Sequence, residues 1–178
     1  TSNMNIHKIV VPTPFPVGPV NTYLIEGDEL TLIDTGPKGD DAQTALRAGL
    51  PEHGYRLSDL RRIIITHAHV DHFGLAGALV AESGARVYTH ALNVKWLTHI
   101  MDEARQRQAF ALDAFVRLGV PESIIELTRQ FSRFVSHFAD PAPVAGTIDD
   151  GDEIELGGLR WRALRTPGHA SGHLCFYQ

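Results

Sequence analysis

The chain alternates short apolar runs with polar, glycine-bearing breaks, and the period of each run predicts its element. Residues 21–26 (NTYLIE) and 30–34 (LTLID) are brief apolar segments joined by Gly27, Asp28 and Glu29, the spacing of a β-hairpin. After a loop containing Gly36, Pro37 and Gly39, Asp40 and Asp41 predict the capped start of a helix whose Ala42, Ala45, Leu46 and Gly49 share a face. Residues 62–66 are the next predicted strand, apolar at the consecutive positions Ile63, Ile64 and Ile65, as in a strand covered on both sides. A helix is predicted from about 71 to 83, with Leu75, Ala76, Leu79 and Val80 inward and Gly84 as its stop, then a strand over 85–89.

Residues 93–140 change character and read as helices. In the second of these, Ile124, Leu127, Phe131, Phe134, Val135 and Phe138 recur at helical spacing between Pro121 and Pro141, which predicts that most of the aromatics pack inward. Lys95, Arg105, Arg107, Arg117, Arg129 and Arg133 balance Asp102, Glu103, Asp113, Glu122, Glu126 and Asp140, so this stretch is neutral. Strands resume at 153–156 and 159–165, around Gly157 and Gly158, and the chain ends in a strand over 173–177.

Composition narrows the choice of class. The length of 178 residues and 43% hydrophobic content fit one packed domain. A net charge of -5 disfavours a nucleic-acid partner, because such proteins gain affinity from clustered Lys and Arg. The single cysteine, Cys175, allows no internal disulfide and is predicted to pack as a small hydrophobe. No apolar run approaches the roughly 20 residues of a membrane-spanning helix, and no export signal is visible, which together set a cytoplasmic expectation. Thr1, Ser2 and Asn3, ahead of Met4, are consistent with a cloning remnant.

The chemistry concentrates in THAHVDHFG, residues 66–74, where His67, His69, Asp71 and His72 follow directly on the apolar run of Ile63, Ile64 and Ile65. In extended chain, residues two apart project to one side, so His67 and His69 can aim at a single point past the strand end. Asp71 and His72 begin a helix, whose free N–H groups favour an ionised carboxylate. Nitrogen and oxygen donors at such a corner suit a borderline cation such as zinc, with iron or manganese as alternatives. About a hundred residues on, TPGHASGH (166–173) sets a sharp turn at Pro167 and Gly168 that presents His169, read as a third histidine on the same ion. His173 is read as supporting the ligands from behind or packing beside them. His90 is predicted to cap the following helix, and His99 and His137 to face solvent.

These motifs, together with Asp34, Thr35 and Gly36 (DTG), resemble the metallo-β-lactamase fold hydrolase superfamily. The TPGHASGH turn is similar to its thioesterase branch, typified by glyoxalase II. The resemblance covers roughly residues 20–92 and 145–178. It implies an α/β fold, the αβ/βα sandwich of two mixed sheets flanked by helices, here its N-terminal half to two-thirds, with 93–140 as a helical insert forming a lid. It also implies that His67, His69 and His169 hold a first metal, that Asp71 and His72 contribute to a second, and that Asp34 orients the site through hydrogen bonds. Asp71 is the candidate catalytic carboxylate. The implied activity is zinc-dependent hydrolysis by activated water of an ester, thioester or related bond in a small molecule, with one or two ions.

The family supplies a bridging Asp and a last His beyond the TPGH turn, and the sequence ends at Gln178 before either. The expectation is therefore the N-terminal part of a longer protein with one tightly held ion and a weak or empty second position. Ala68 excludes the diiron oxygen-reducing branch, which carries a Glu between the two histidines, and His72 disfavours β-lactamases with a Cys ligand. The alternatives are an iron-dependent persulfide dioxygenase holding one iron with two histidines and an Asp, or a metal-binding remnant without turnover. A nuclease is disfavoured by the charge.

Overall fold

The computed structural model describes residues 5–178; the leading Thr1–Asn3 lie outside them. Six strands form the first sheet in sequence order: β1 (Ile6–Val11), β2 (Val20–Ile25), β3 (Thr31–Ile33), β4 (Arg62–Ile65), β5 (Arg86–Thr89) and β6 (Gly146–Thr147). The first three pair antiparallel, and β3 to β6 run parallel. Parallel neighbours need crossovers, and helices supply them. α1 (Asp40–Glu52) joins β3 to β4, and α2 (Val70–Phe73) with α3 (Ala76–Ser83) joins β4 to β5. α4 (Val94–Thr98), α5 (Ile100–Arg117) and α6 (Glu122–Ser136) join β5 to β6. A second, antiparallel sheet holds β7 (Glu153–Leu156), β8 (Leu159–Arg165) and β9 (Leu174–Tyr177).

The alternation of β4 explains why its apolar residues are consecutive. Ile63 and Ile65 enter the core beneath the helices with Leu46, Leu50 and Leu79, whereas Ile64 enters the core between the sheets with Ile25, Ile148, Leu156, Ala163 and Leu174. All three isoleucines are fully buried. The layers are thus helices, mixed sheet and second sheet, the α/β arrangement expected from the motifs. Among the described residues, no helix is long and apolar enough to cross a membrane.

Four features differ from the sequence reading. β1 was not expected, although IHKIVV places Ile9 and Val11 on one buried face. The helix predicted over 71–83 is two helices, because the Leu75 N–H turns away to the Gly36 carbonyl at 3.1 Å. Cys175 is exposed rather than core: β9 directs Leu174 and Phe176 toward the other sheet, so the residues between them face away. On α6, Ile125 is buried while Leu127 (62% exposed), Phe131 (59%) and Phe134 (49%) face outward, so the stripe read as packing is the open face of the helix. Phe134 still meets Phe15 and Phe138 edge to face.

Gly74 is required for close approach. A Cβ there would lie 2.1 Å from the Phe138 carbonyl oxygen and 2.5 Å from the Lys38 nitrogen, the two groups that bond to each other beside it at 2.7 Å. Gly84 has open space but a φ of +72°. Gly74→Ala should therefore cost about 3 kcal/mol in urea denaturation, from backbone displacement, against about 1 kcal/mol for Gly84→Ala, from left-handed strain alone. Equal costs would contradict this packing.

Candidate metal centre

His67 and His69 leave the end of β4 on extended chain, and His69 is the residue on which α2 starts, its carbonyl accepting from the His72 and Phe73 N–H groups. The third histidine arrives from the second sheet. The Leu174 N–H, at the start of β9, donates to the Thr66 carbonyl at 2.9 Å, which pins the 166–173 loop against the end of β4. The same loop is clamped from the other side, where the buried Asn93 amide donates to the Gly172 carbonyl at 2.9 Å and to the Thr89 hydroxyl at 2.9 Å. His169 is thereby set 3.2 Å from His67, Nε2 to Nε2.

One ligand nitrogen from each of His67, His69 and His169 lies within 4.8 Å of the other two. Two nitrogens bound at 2.0–2.1 Å by one tetrahedral ion stand roughly 3.3 Å apart, so the His67–His169 separation is that of two ligands on one cation. Asp71, His72 and His173 border the triad but fall outside this group. The His72 ring centroid is 4.1 Å from that of His67, and its Nε2 is 3.7 Å from the Asp71 carboxylate. The His173 centroid is 5.0 Å from His67, and its Nδ1 is engaged by the Thr166 hydroxyl at 2.7 Å.

Asp34 organises the site from behind. Its carboxylate accepts from the Thr66 N–H at 2.8 Å, the Thr66 hydroxyl at 2.7 Å and His72 Nδ1 at 2.8 Å. A carboxylate only accepts, so the Thr66 hydroxyl spends its proton on Asp34, and its oxygen receives the Nδ1–H of His67 at 3.0 Å. That leaves the Nε2 lone pair of His67 facing His169, the tautomer a cation needs. The chain holds Asp34 in this position at φ 58°, an uncommon region for a residue with a side chain. Thr35 then ties the two loops together, its N–H and hydroxyl both donating to the His72 carbonyl at 2.7 and 3.0 Å.

Electrostatics agree with the geometry. Burial, reinforced by the neighbouring histidines, pushes His67 down to about 2, and burial with His169 lowers His69. Burial also opposes charge on His72, but its hydrogen bond to Asp34 and the charges of Asp34 and Asp71 prevail and raise its pKa. His67 and His69 are thus held as neutral rings at pH 7, whereas the surroundings of His72 favour its proton. Thr66 and Asn93 were not foreseen; a Thr at a strand end before HxH was a visible signal for the first, and nothing local marked the second.

Comparison with known proteins bears on what such a site is. The profile of the Metallo-beta-lactamase superfamily matches residues 15–178. A probable metallo-hydrolase of Bacillus subtilis (strain 168), YqjP, is 34% identical over 97% of this chain and 53% of its own length. The crystal structure of the metallo-beta-lactamase family protein TTHA1429 from Thermus thermophilus superposes with a TM-score of 0.77 at 34% identity, covering 97% of this chain and 55% of that one. An atrochrysone carboxyl ACP thioesterase, dmxR1, of Cryptosporiopsis sp. (strain 8999) is 24% identical over 93% of this chain and 36% of its own length. The chain belongs to the metallo-beta-lactamase superfamily, and its histidine triad fits the divalent metal that the fold implies. It spans about half the length of the first two relatives.

The His67 shift sets a pH dependence. Unfolded, this ring titrates near 6.5 and folded near 2, so between those values the unfolded chain binds the extra proton. Its contribution to stability is present above pH 6.5 and lost as pH falls. Between pH 7 and 5 the metal-free protein should lose on the order of 2 kcal/mol through this residue, a loss absent from His67→Gln. Urea denaturation at both pH values measures it; parallel losses in the two proteins would contradict the assignment.

Proposed function

We propose that the chain carries the metal-binding part of a zinc-dependent hydrolase that cleaves an ester, thioester or related bond in a small molecule. The observation that carries this reading is the convergence of His67, His69 and His169 within 4.8 Å from segments about a hundred residues apart. A divalent ion bound there supplies a Lewis acid that activates water at neutral pH and polarises the bond under attack. His67, fixed by Thr66 and Asp34, and His69, at the start of α2, keep their rings neutral for that ion. Asp71, half-buried and 3.7 Å from His72 Nε2, is assigned the proton of the attacking water and, with His72, the second cation position.

The thioester preference draws on the TPGHASGH turn and on the thioesterase among the relatives. We assign α4 to α6 the role of a lid over the pocket and place the activity in the cytoplasm, in keeping with the single cysteine.

Assays of the zinc-loaded protein on acyl thioesters, esters and lactones test the proposal. Hydrolysis should fall at least about 100-fold in Asp71→Asn with the zinc of the His67, His69 and His169 site retained, and disappear together with that zinc in His69→Ala. Oxygen uptake with a persulfide by the iron form, or zinc bound tightly with none of these substrates turned over, would overturn it.

A further inference from the structure

α4 starts on Asn93, and an Asn in that position ordinarily turns its side-chain oxygen to the free N–H groups of its own helix. This one makes no such bond. It is buried, 2% exposed, and its amide nitrogen donates outside the helix instead, to the Thr89 hydroxyl and to the Gly172 carbonyl at 2.9 Å each. The fully buried Thr89 hydroxyl donates in turn to the Ile65 carbonyl at 2.8 Å. Carbonyls only accept, so the direction of every bond in this relay is fixed.

The two ends of the relay lie beside ligands. Ile65 precedes His67 by two residues, and Gly172 follows His169 by three. The contact at Gly172 is close, since a Cβ there would lie 2.4 Å from Asn93 Oδ1 and 2.8 Å from its Cγ. Gly172 is not among the left-handed glycines, so this approach alone calls for glycine. His169 needs such a hold. His67 is buried in the core, whereas His169 is the exposed member of the triad and follows the exposed residues 165–168, so packing does not fix it. The pairing of β8 with β9 and the bond from the Leu174 N–H to the Thr66 carbonyl do not involve Asn93, and they hold the second sheet when its amide is removed.

We propose that Asn93 is a positioning residue for the third metal ligand: its amide, braced through Thr89 on the end of β4, sets where His169 stands relative to His67 and His69. This rests on the shared metal centre and names what fixes its remote ligand; it does not depend on which bond is hydrolysed. A ligand already in place loses less freedom when the ion binds, and groups that orient ligands in this way change metal affinity by about 10- to 100-fold.

The test is a double-mutant cycle read by zinc affinity, measured in competition with a chromophoric chelator. Asn93→Ala should weaken the tighter zinc by about 10- to 100-fold. Gly172→Ala, which presses on the same amide from the loop side, should act in the same direction. In the His169→Ala background, where the ligand being positioned is gone, each replacement should change affinity by less than about 2-fold. Thr89→Ser, which keeps the hydroxyl, should retain more of the affinity than Thr89→Val, which removes it. Losses by the same factor with and without His169, or no loss in either single variant, would overturn the proposal and leave Asn93 a merely structural role. The Gly172→Ala arm decides by the same criteria should Asn93→Ala not fold. Unchanged zinc affinity in His169→Ala alone would instead remove the shared centre on which the proposal rests.

Discussion

A single carboxylate holds the site together. Asp34 accepts three hydrogen bonds, two from Thr66 and one from His72, and so joins the end of β3 to both ends of the HxHxDH segment. Through the Thr66 hydroxyl it also fixes which nitrogen of His67 carries the proton. The carbonyl of the same Thr66 receives the Leu174 N–H, which docks the second sheet and with it His169. Remove this node and the two halves of the triad lose their common reference. The left-handed backbone at Asp34 is a local strain of about 1–3 kcal/mol that the surrounding hydrogen bonds offset.

The geometry of the layers makes the convergence possible. β4 is buried on both faces, so its end is fixed by the core under the helices and by the core between the sheets at once. His67 and His69 inherit that rigidity as an immediate continuation of the strand. The 166–173 loop, by contrast, is placed by two side contacts, at Thr66 and at Asn93. Burial at the meeting point then keeps His67 neutral, and the same burial that costs stability in acid prepares the ring as a ligand.

Much of this was legible in the sequence, and the reasons for the remainder are specific. His67, His69 and His169 could be named because alternation after an apolar strand and a Pro-Gly turn are local signals, and local signals survive without coordinates. Pairing of β2 with β3 and the turn at Gly157 and Gly158 were legible for the same reason. The break at Gly74 was not, since it depends on Gly36 and Phe138, both distant in the chain. Cys175 lies between two inward-facing residues, and only the pleat of β9 decides that it points out. The outward stripe of α6 has helical period whichever side it faces, so periodicity could not tell an open face from a packed one.

The central claim is that three imidazoles from two remote segments share one cation. X-ray absorption at the zinc edge of the zinc-loaded protein tests this most directly. The account predicts three imidazole nitrogens at about 2.0–2.1 Å, falling to two when His169 is replaced by Ala. A zinc spectrum that His169→Ala leaves unchanged would contradict it.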